Sequence, residues 1–394
     1  MKPRLSLFVF VDACGWEIIR DRPFARAHAP HRRMLRSVFG YSSACIPSIL
    51  SGRWPAEHRN WCYFVYDPPR SPFRGLRLLR WLPRALTSRR FFRHRLSRLL
   101  KVHLKFRGYF DLYNIPFEHI SLFDFSEKKN PLQPEGLNRG PNIFDHMRER
   151  GISWHVSDPK LSERQNLDGM LADIRRGSID FGFLYWPDLD GVLHRVGNLS
   201  PEVPAKLDAY EPWLDELMAC AREHYEEVDL TLFSDHGMAN CERLLDLPAR
   251  LGSLGLRMGV DYAVVYDSTM ARFWFLNDRA RGLVTESLQG VPEGRILPDA
   301  ELRELGALFP DRYFGEMIFL VEEGVLIVPS HMGERPIRAM HGYHPDAPHS
   351  YASLLTSYPE VPDGVTDIPH VYQLMAAQAE RAARLNREPA LSVS

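Results

Sequence analysis

Four short stretches of this 394-residue chain combine carboxylates and imidazoles in patterns that can do chemistry. Residues 5–12, Leu-Ser-Leu-Phe-Val-Phe-Val-Asp, form an apolar run that ends on Asp12, and Gly15 opens the turn that follows. Residues 185–197 carry Asp190 and His194 in an Asp-xxx-His spacing, which one helical turn brings to the same side. Leu-Phe-Ser-Asp-His-Gly at 232–237 ends a strand-like run on Asp235 and His236, and Met340-His-Gly supplies His341. Three acids and three histidines of this kind suit a pair of zinc-like ions, with manganese or iron as alternatives. Each motif alone has a bland reading: Asp12 as a loop acid, Asp235-His236 as a turn. Asp188 competes with Asp190 but lacks the matching histidine spacing, and His344 and His349 read as surface residues or as supports behind the ligands rather than as ligands. A hydroxyl cluster at Ser42 and Ser43 opens an apolar segment ending in Ser51-Gly52, which reads as a turn into a helix.

These residues need a scaffold that delivers chain ends to one place. A short buried run ending in an acid and then glycine is how a parallel strand presents a ligand at the carboxyl edge of its sheet. Further strands are expected at 152–156, 181–186, 228–234 and 350–357, and helices at 142–150, 162–176, 201–225 and 371–385. The long helix at 201–225 sets Leu207, Tyr210, Leu214, Leu217 and Met218 on one face. This alternation predicts an α/β fold, a mostly parallel central sheet with helices on both faces. Residues 16–38 read as a loop and a helix, 108–140 as irregular, and the tail after Arg387 as frayed. Between about 244 and 338 short strands at 263–266, 271–276, 316–321 and 325–328 suggest a smaller α+β excursion, within which Asp267 and Arg272 read as structural.

Residues 70–107 differ in composition. They hold thirteen arginines and lysines, and no acid occurs between Asp67 and Asp111. Pro83 divides two helical stretches; in the second, Phe92, Leu96, Leu99 and Val102 or His103 follow a helical period among Arg89, Arg93, Lys101 and Lys105. Such a segment reads as an insertion packed over the core with its arginines in solvent, or as a basic amphipathic element that lies on an anionic membrane, with substrate contact or a protein partner as further alternatives.

The whole chain carries a formal net charge of −1, so no global field recruits nucleic acid, and no recognisable nucleic-acid module is present. Five scattered cysteines form neither a disulfide framework nor a CxxC zinc site, which fits a reducing, cytoplasmic compartment. No apolar run is long enough to span a bilayer, and Asp12 interrupts the one that imitates a signal peptide.

In their order along the chain, the motifs from Asp12 to about Ser357 resemble the alkaline phosphatase superfamily, and within it the type I phosphodiesterase / nucleotide pyrophosphatase branch. The resemblance implies one metal held by Asp12, Ser42, Asp235 and His236, and another by Asp190, His194 and His341. It implies Ser42 as the nucleophile, because members carry a Thr or Ser ten residues before the glycine of a Thr-Gly pair; Ser43 is the fallback, and Ser51 replaces the usual Thr. It further implies an alkaline-phosphatase-like catalytic core over 1–243 and 339–394, with 244–338 as a cap and about 70–110 as a basic helical insert. The expected reaction is hydrolysis of a phosphodiester or pyrophosphate bond, on a small-molecule or a lipid- or glycan-linked phosphoester, through a phosphoserine. Phosphomonoesterase, sulfatase and phosphotransferase activities of the superfamily are the alternatives, as is a membrane-surface binding protein with a structural metal site. Cys45-Ile-Pro-Ser-Ile lacks the arginine of the sulfatase motif and lies three places from the nucleophile position, so Cys45 reads as a buried small hydrophobe.

Overall fold

The computed structural model describes residues 1–387 apart from 82, 84–86 and 88; the expected frayed tail, and part of the stretch around Pro83, lie outside the described residues. The strand Lys2–Val11 is buried on both faces, which its uninterrupted apolar run requires. Leu5, Leu7, Val9 and Val11 pack on one side against the helices Glu163–Arg175 and Glu202–His224. Phe8 and Phe10 face the other side, where the helices Ser42–Ser51 and Val371–Arg387 cover the sheet. Phe10 stacks between Tyr185, at 4.8 Å, and Phe233, at 5.3 Å, so truncating it to alanine is expected to cost about 3–5 kcal/mol.

Six strands form the central sheet, in the order His31–Leu35, Ala352–Thr356, Tyr225–Phe233, Lys2–Val11, Phe181–Trp186, Trp154–Val156. The last four run parallel, and Ala352–Thr356 is antiparallel to both of its neighbours. The register explains why the site forms here. Phe10 lies level with Tyr185 and with Phe233, so the chain leaves three adjacent parallel strands at one edge, immediately before Asp12, Asp190 and Asp235. A four-stranded antiparallel sheet lies within the stretch expected as the smaller excursion, ordered Tyr262–Tyr266, Met270–Phe275, Met317–Val321, Gly294–Ile296. The strand Val325–Ile327 follows Met317–Val321 but pairs in parallel with Arg243–Leu245.

Two expectations are corrected. Residues 16–38 contain only a four-residue helix, Trp16–Ile19, and then the edge strand His31–Leu35. The strand was hidden because Arg32 and Arg33 break any apolar alternation. Their guanidinium groups instead donate to loop carbonyls, Arg32 to Ile19 and Arg22, Arg33 to Pro362 and Val361. On the basic helix Arg90–His103, the inward stripe is Phe92, Leu96 and Leu100, continued by Leu104, while Leu99 and Val102 point outward. Arg93 and Ser97 rotate the buried face. Arg93 is buried and donates to the carbonyls of Tyr113, at 2.5 Å, and Ile115, at 2.9 Å; Ser97 donates to Asp111 at 2.8 Å.

Candidate active site

The turn after Lys2–Val11 is strained in a way that aims Asp12. Ala13 adopts a left-handed conformation, φ 59°, and its N–H donates to Asp235 Oδ1 at 3.3 Å. Two glycines let the Asp12 and Asp235-His236 loops meet. A Cβ on Gly15 would stand 2.2 Å from the Cα of Gly237, and a Cβ on Gly237 would stand 2.3 Å from the carbonyl oxygen of His349. No other residue fits either position.

Ser42 begins the helix Ser42–Ser51, with Tyr41 extended before it and no side-chain cap. Its Oγ lies 3.0 Å from His236 Nε2. The same nitrogen lies 3.2 Å from Asp235 Oδ2 and 3.6 Å from Asp12 Oδ1. The hydroxyl of Ser43, by contrast, is buried and donates to the carbonyl of Trp61 at 2.6 Å. Asp190 and His194 share the helix Asp188–Val196, with His194 Nε2 3.3 Å from Asp190 Oδ1. His341 Nε2 lies 3.8 Å from that same oxygen. The rings of His236 and His341 stack at 3.8 Å and join the two halves.

Two sets of ligand atoms are thus close enough to share an ion: Asp12, Asp235 and His236, and Asp190, His236 and His341. His194 joins the second set through Asp190 rather than directly. All seven residues expected at the site therefore fall in one cluster, drawn from chain segments up to 329 positions apart.

The chemistry of the donor set fits a cation. Asp12 Oδ1, Asp190 Oδ1, Asp235 Oδ2 and His341 Nδ1 are buried without a hydrogen-bond partner, a costly condition unless something binds there. His236 Nδ1 faces the carbonyl of Gly237 at 2.9 Å, and His194 Nδ1 that of Ala339 at 2.8 Å. These contacts assign the proton to Nδ1 and leave each Nε2 lone pair facing the cluster. Burial, together with the neighbouring Asp235 and Asp190, pushes the Asp12 carboxyl well up. Burial pushes Asp235 up to about 7, against the pull of the Ala13 N–H and with a further push from Asp190. Burial beside His236 and His194 drives His341 well down. A divalent cation held by these residues would reverse this logic and keep the acids ionised.

Three residues that support the cluster have no local sequence motif that marks them. Tyr185 donates its hydroxyl to Asp12 Oδ2 at 2.5 Å, leaving Oδ1 to face His236. Its signal is the penultimate strand position, where parallel register sets it beside Phe10, two residues before Asp12. Glu163 accepts the N–H of Asp188 at 2.8 Å and the hydroxyl of Tyr210 at 2.7 Å, and so pins the start of the helix that carries Asp190. Tyr41 packs edge-on against His341 at 5.7 Å, and its hydroxyl lies 2.8 Å from Thr269 Oγ1. Outside the cluster, His344 pairs with Glu301 at 3.1 Å and His349 with Glu323 at 2.7 Å. Arg272 is fully buried against Asp267 at 2.7 Å. Cys45 is buried beside Ser37, and burial raises its thiol well above the usual range.

Comparison with solved structures shows the same fold. Human ectonucleotide pyrophosphatase / phosphodiesterase 5 superposes with a TM-score of 0.66 at 14% identity, covering 96% of this chain and 95% of that one. The murine protein gives 0.67 at the same identity and coverage. An inactive murine form in complex with AMP gives 0.66, again at 14% identity over 96% and 95% of the two chains. No curated protein matches in sequence. The family model for type I phosphodiesterase / nucleotide pyrophosphatase matches residues 105–344, a segment that holds Asp190, His194, Asp235, His236 and His341. With well over half of its length matched, the chain belongs to the type I phosphodiesterase / nucleotide pyrophosphatase family and is a phosphodiesterase/pyrophosphatase-type hydrolase.

Proposed function

We propose that Ser42 is the nucleophile of a hydrolase that cleaves a phosphodiester or pyrophosphate bond beside two divalent cations. Asp12, Ser42, Asp235 and His236 would hold one cation, and Asp190, His194 and His341 the other; the mixed nitrogen and oxygen donors favour zinc. The observation that supports this reading is the set of unpartnered buried ligand atoms gathered around Ser42. When bound, the cations would supply positive charge against the serine oxygen and the phosphoryl oxygens. Ser42 Oγ attacks phosphorus, the bond to the leaving oxygen breaks, and a phosphoserine forms. Water then attacks phosphorus from the opposite face and releases Ser42. Ser42 opens the helix Ser42–Ser51, whose dipole favours negative charge at that end.

Charge supply bears on the substrate. Among the described residues no lysine or arginine pairs with Asp12, Asp190 or Asp235, and Arg272 is committed to Asp267. A phosphomonoester dianion asks for an extra cation beyond the metals, whereas a diester carries one charge less. A nucleotide phosphoester is a candidate substrate, because the murine relative was solved in complex with AMP.

Ser42→Ala is expected to abolish turnover of bis-p-nitrophenyl phosphate while metal content stays near that of the wild type. The wild type should prefer this diester over p-nitrophenyl phosphate and p-nitrophenyl sulfate. Retained turnover in Ser42→Ala would move the nucleophile elsewhere, and a preference for the sulfate would replace the phosphodiesterase reading.

A further inference from the structure

The basic insert presents an outward face that the hydrolase site does not use. On the helix Arg90–His103, Phe91, Leu99 and Val102 are exposed by 72%, 70% and 79%. At spacings of eight and three they form one stripe, with Arg95 and Arg98 set between them. In the preceding 3-10 segment Arg74–Trp81, Leu78 and Trp81 are exposed to the same degree beside Arg77 and Arg80 in sequence. These are ordinary core residue types in extraordinary positions. Two arginines lie over exposed rings: Arg95 over Phe91 at 4.7 Å and Arg80 over Trp81 at 4.7 Å. Among the described residues, Arg77, Arg95, Arg98, Lys105 and Arg107 form no ion pair, and no acid occurs from 68 to 110 to neutralise them.

The face is held in place rather than loosely displayed. Phe92, Leu96, Leu100 and Leu104 pack inward on the aromatic cluster of Phe64, Phe73, Phe110, Phe117 and Phe125, and buried Arg93 fastens the helix to the carbonyls of Tyr113 and Ile115. The helix therefore buries one apolar stripe and still shows a second.

We propose that this face docks the enzyme on an anionic lipid surface, with Phe91, Leu99 and Val102 entering the headgroup–acyl boundary and the arginines pairing with lipid phosphates and carboxylates. Charge complementarity selects the occupant: unpaired cations with no acid among them oppose a like-charged second copy of this face and match an acidic bilayer. Shape agrees. The apolar side chains protrude from the convex side of a helix, which suits a soft plane that closes around them. No helix among the described residues is long and apolar enough to cross a membrane.

The test is co-sedimentation of the full chain with vesicles of phosphatidylcholine alone or mixed with phosphatidylserine. Wild-type protein is expected to pellet with the mixed vesicles and stay in solution with pure phosphatidylcholine. Arg95→Gln with Arg98→Gln should weaken binding about 25-fold, at about fivefold per lost cation. Leu99→Ser with Val102→Ser should weaken it at least as much, while thermal melting of both double variants stays at the wild-type value. Equal binding to neutral vesicles, no binding to either, or loss with the arginine pair but not with the apolar pair would each overturn the proposal. Self-association lost on Leu99→Ser with Val102→Ser would assign the face to a protein contact instead.

Discussion

Tyr185→Phe isolates one hydrogen bond at the proposed metal centre. The tyrosine ring stacks on Phe10 at 4.8 Å, and phenylalanine keeps that packing. What disappears is the hydroxyl that donates to Asp12 Oδ2 at 2.5 Å. A hydrogen bond to a charged acceptor contributes about 1.5–3 kcal/mol, and outer partners of a ligating carboxylate typically change metal affinity about 10–100-fold. Because tenfold corresponds to about 1.4 kcal/mol, the two scales agree. The expected result is a metal dissociation constant raised about 10–100-fold, measured by competition with a fluorescent zinc chelator. Turnover at saturating metal should fall much less, because the hydroxyl touches Asp12 and not the reacting serine. Tyr225→Phe is the control: Tyr225 donates its hydroxyl to the carbonyl of Ile179 at 2.7 Å on another part of the sheet, so its loss should leave affinity unchanged. Wild-type affinity in Tyr185→Phe would refute the idea that this hydroxyl fixes the Asp12 ligand. Equal losses in both variants would trace the effect to general destabilisation.

Other substitutions probe the scaffold. Glu163→Gln removes the charge that Lys206 meets at 2.9 Å and disturbs the acceptor for the Asp188 N–H; in chelator titration, one metal equivalent should leave several-fold earlier than in the wild type while the other is unaffected. Glu127 is buried, and burial pushes its carboxyl up to about 8 from 4.5, with Lys101 pulling back. The fold therefore favours the neutral acid: its contribution is complete below pH 4.5 and is lost as pH rises towards 8, by up to about 5 kcal/mol. Glu127→Gln stays neutral, so its melting temperature relative to the wild type should climb between pH 5 and pH 8, measured by differential scanning calorimetry. A constant difference across that range would show that Glu127 is ionised throughout. Ser43→Ala removes a hydroxyl committed to the Trp61 carbonyl, so it should lower the melting temperature by a few degrees and leave turnover at saturating substrate near the wild-type value.

Much of the candidate site was legible because its expected ligands close apolar strands. Asp12 and Asp235 stand at strand ends whose buried runs are visible without tertiary information, and the four-residue spacing of Asp190 and His194 identifies one helix face. Chain order then linked them to Ser42. Residues whose importance lies in a single cross-strand or cross-helix contact were not legible. Tyr185 is one more aromatic in an apolar strand until register sets it beside Asp12, and Glu163 is one more helix acid until Asp188 arrives at its carboxylate. The edge strand His31–Leu35 was missed for a related reason: its arginines serve loops elsewhere, so local pattern and actual role diverge. On the basic helix, the apolar residues show the 3.6-residue period but not its phase. Arg93 and Ser97 face inward only because distant carbonyls and Asp111 satisfy them.

Anomalous diffraction at the zinc absorption edge, on crystals grown with zinc, tests the central claim most directly. Two peaks per chain are expected, one among Asp12, Ser42, Asp235 and His236 and one among Asp190, His194 and His341. A single peak, or peaks away from Ser42, would contradict it.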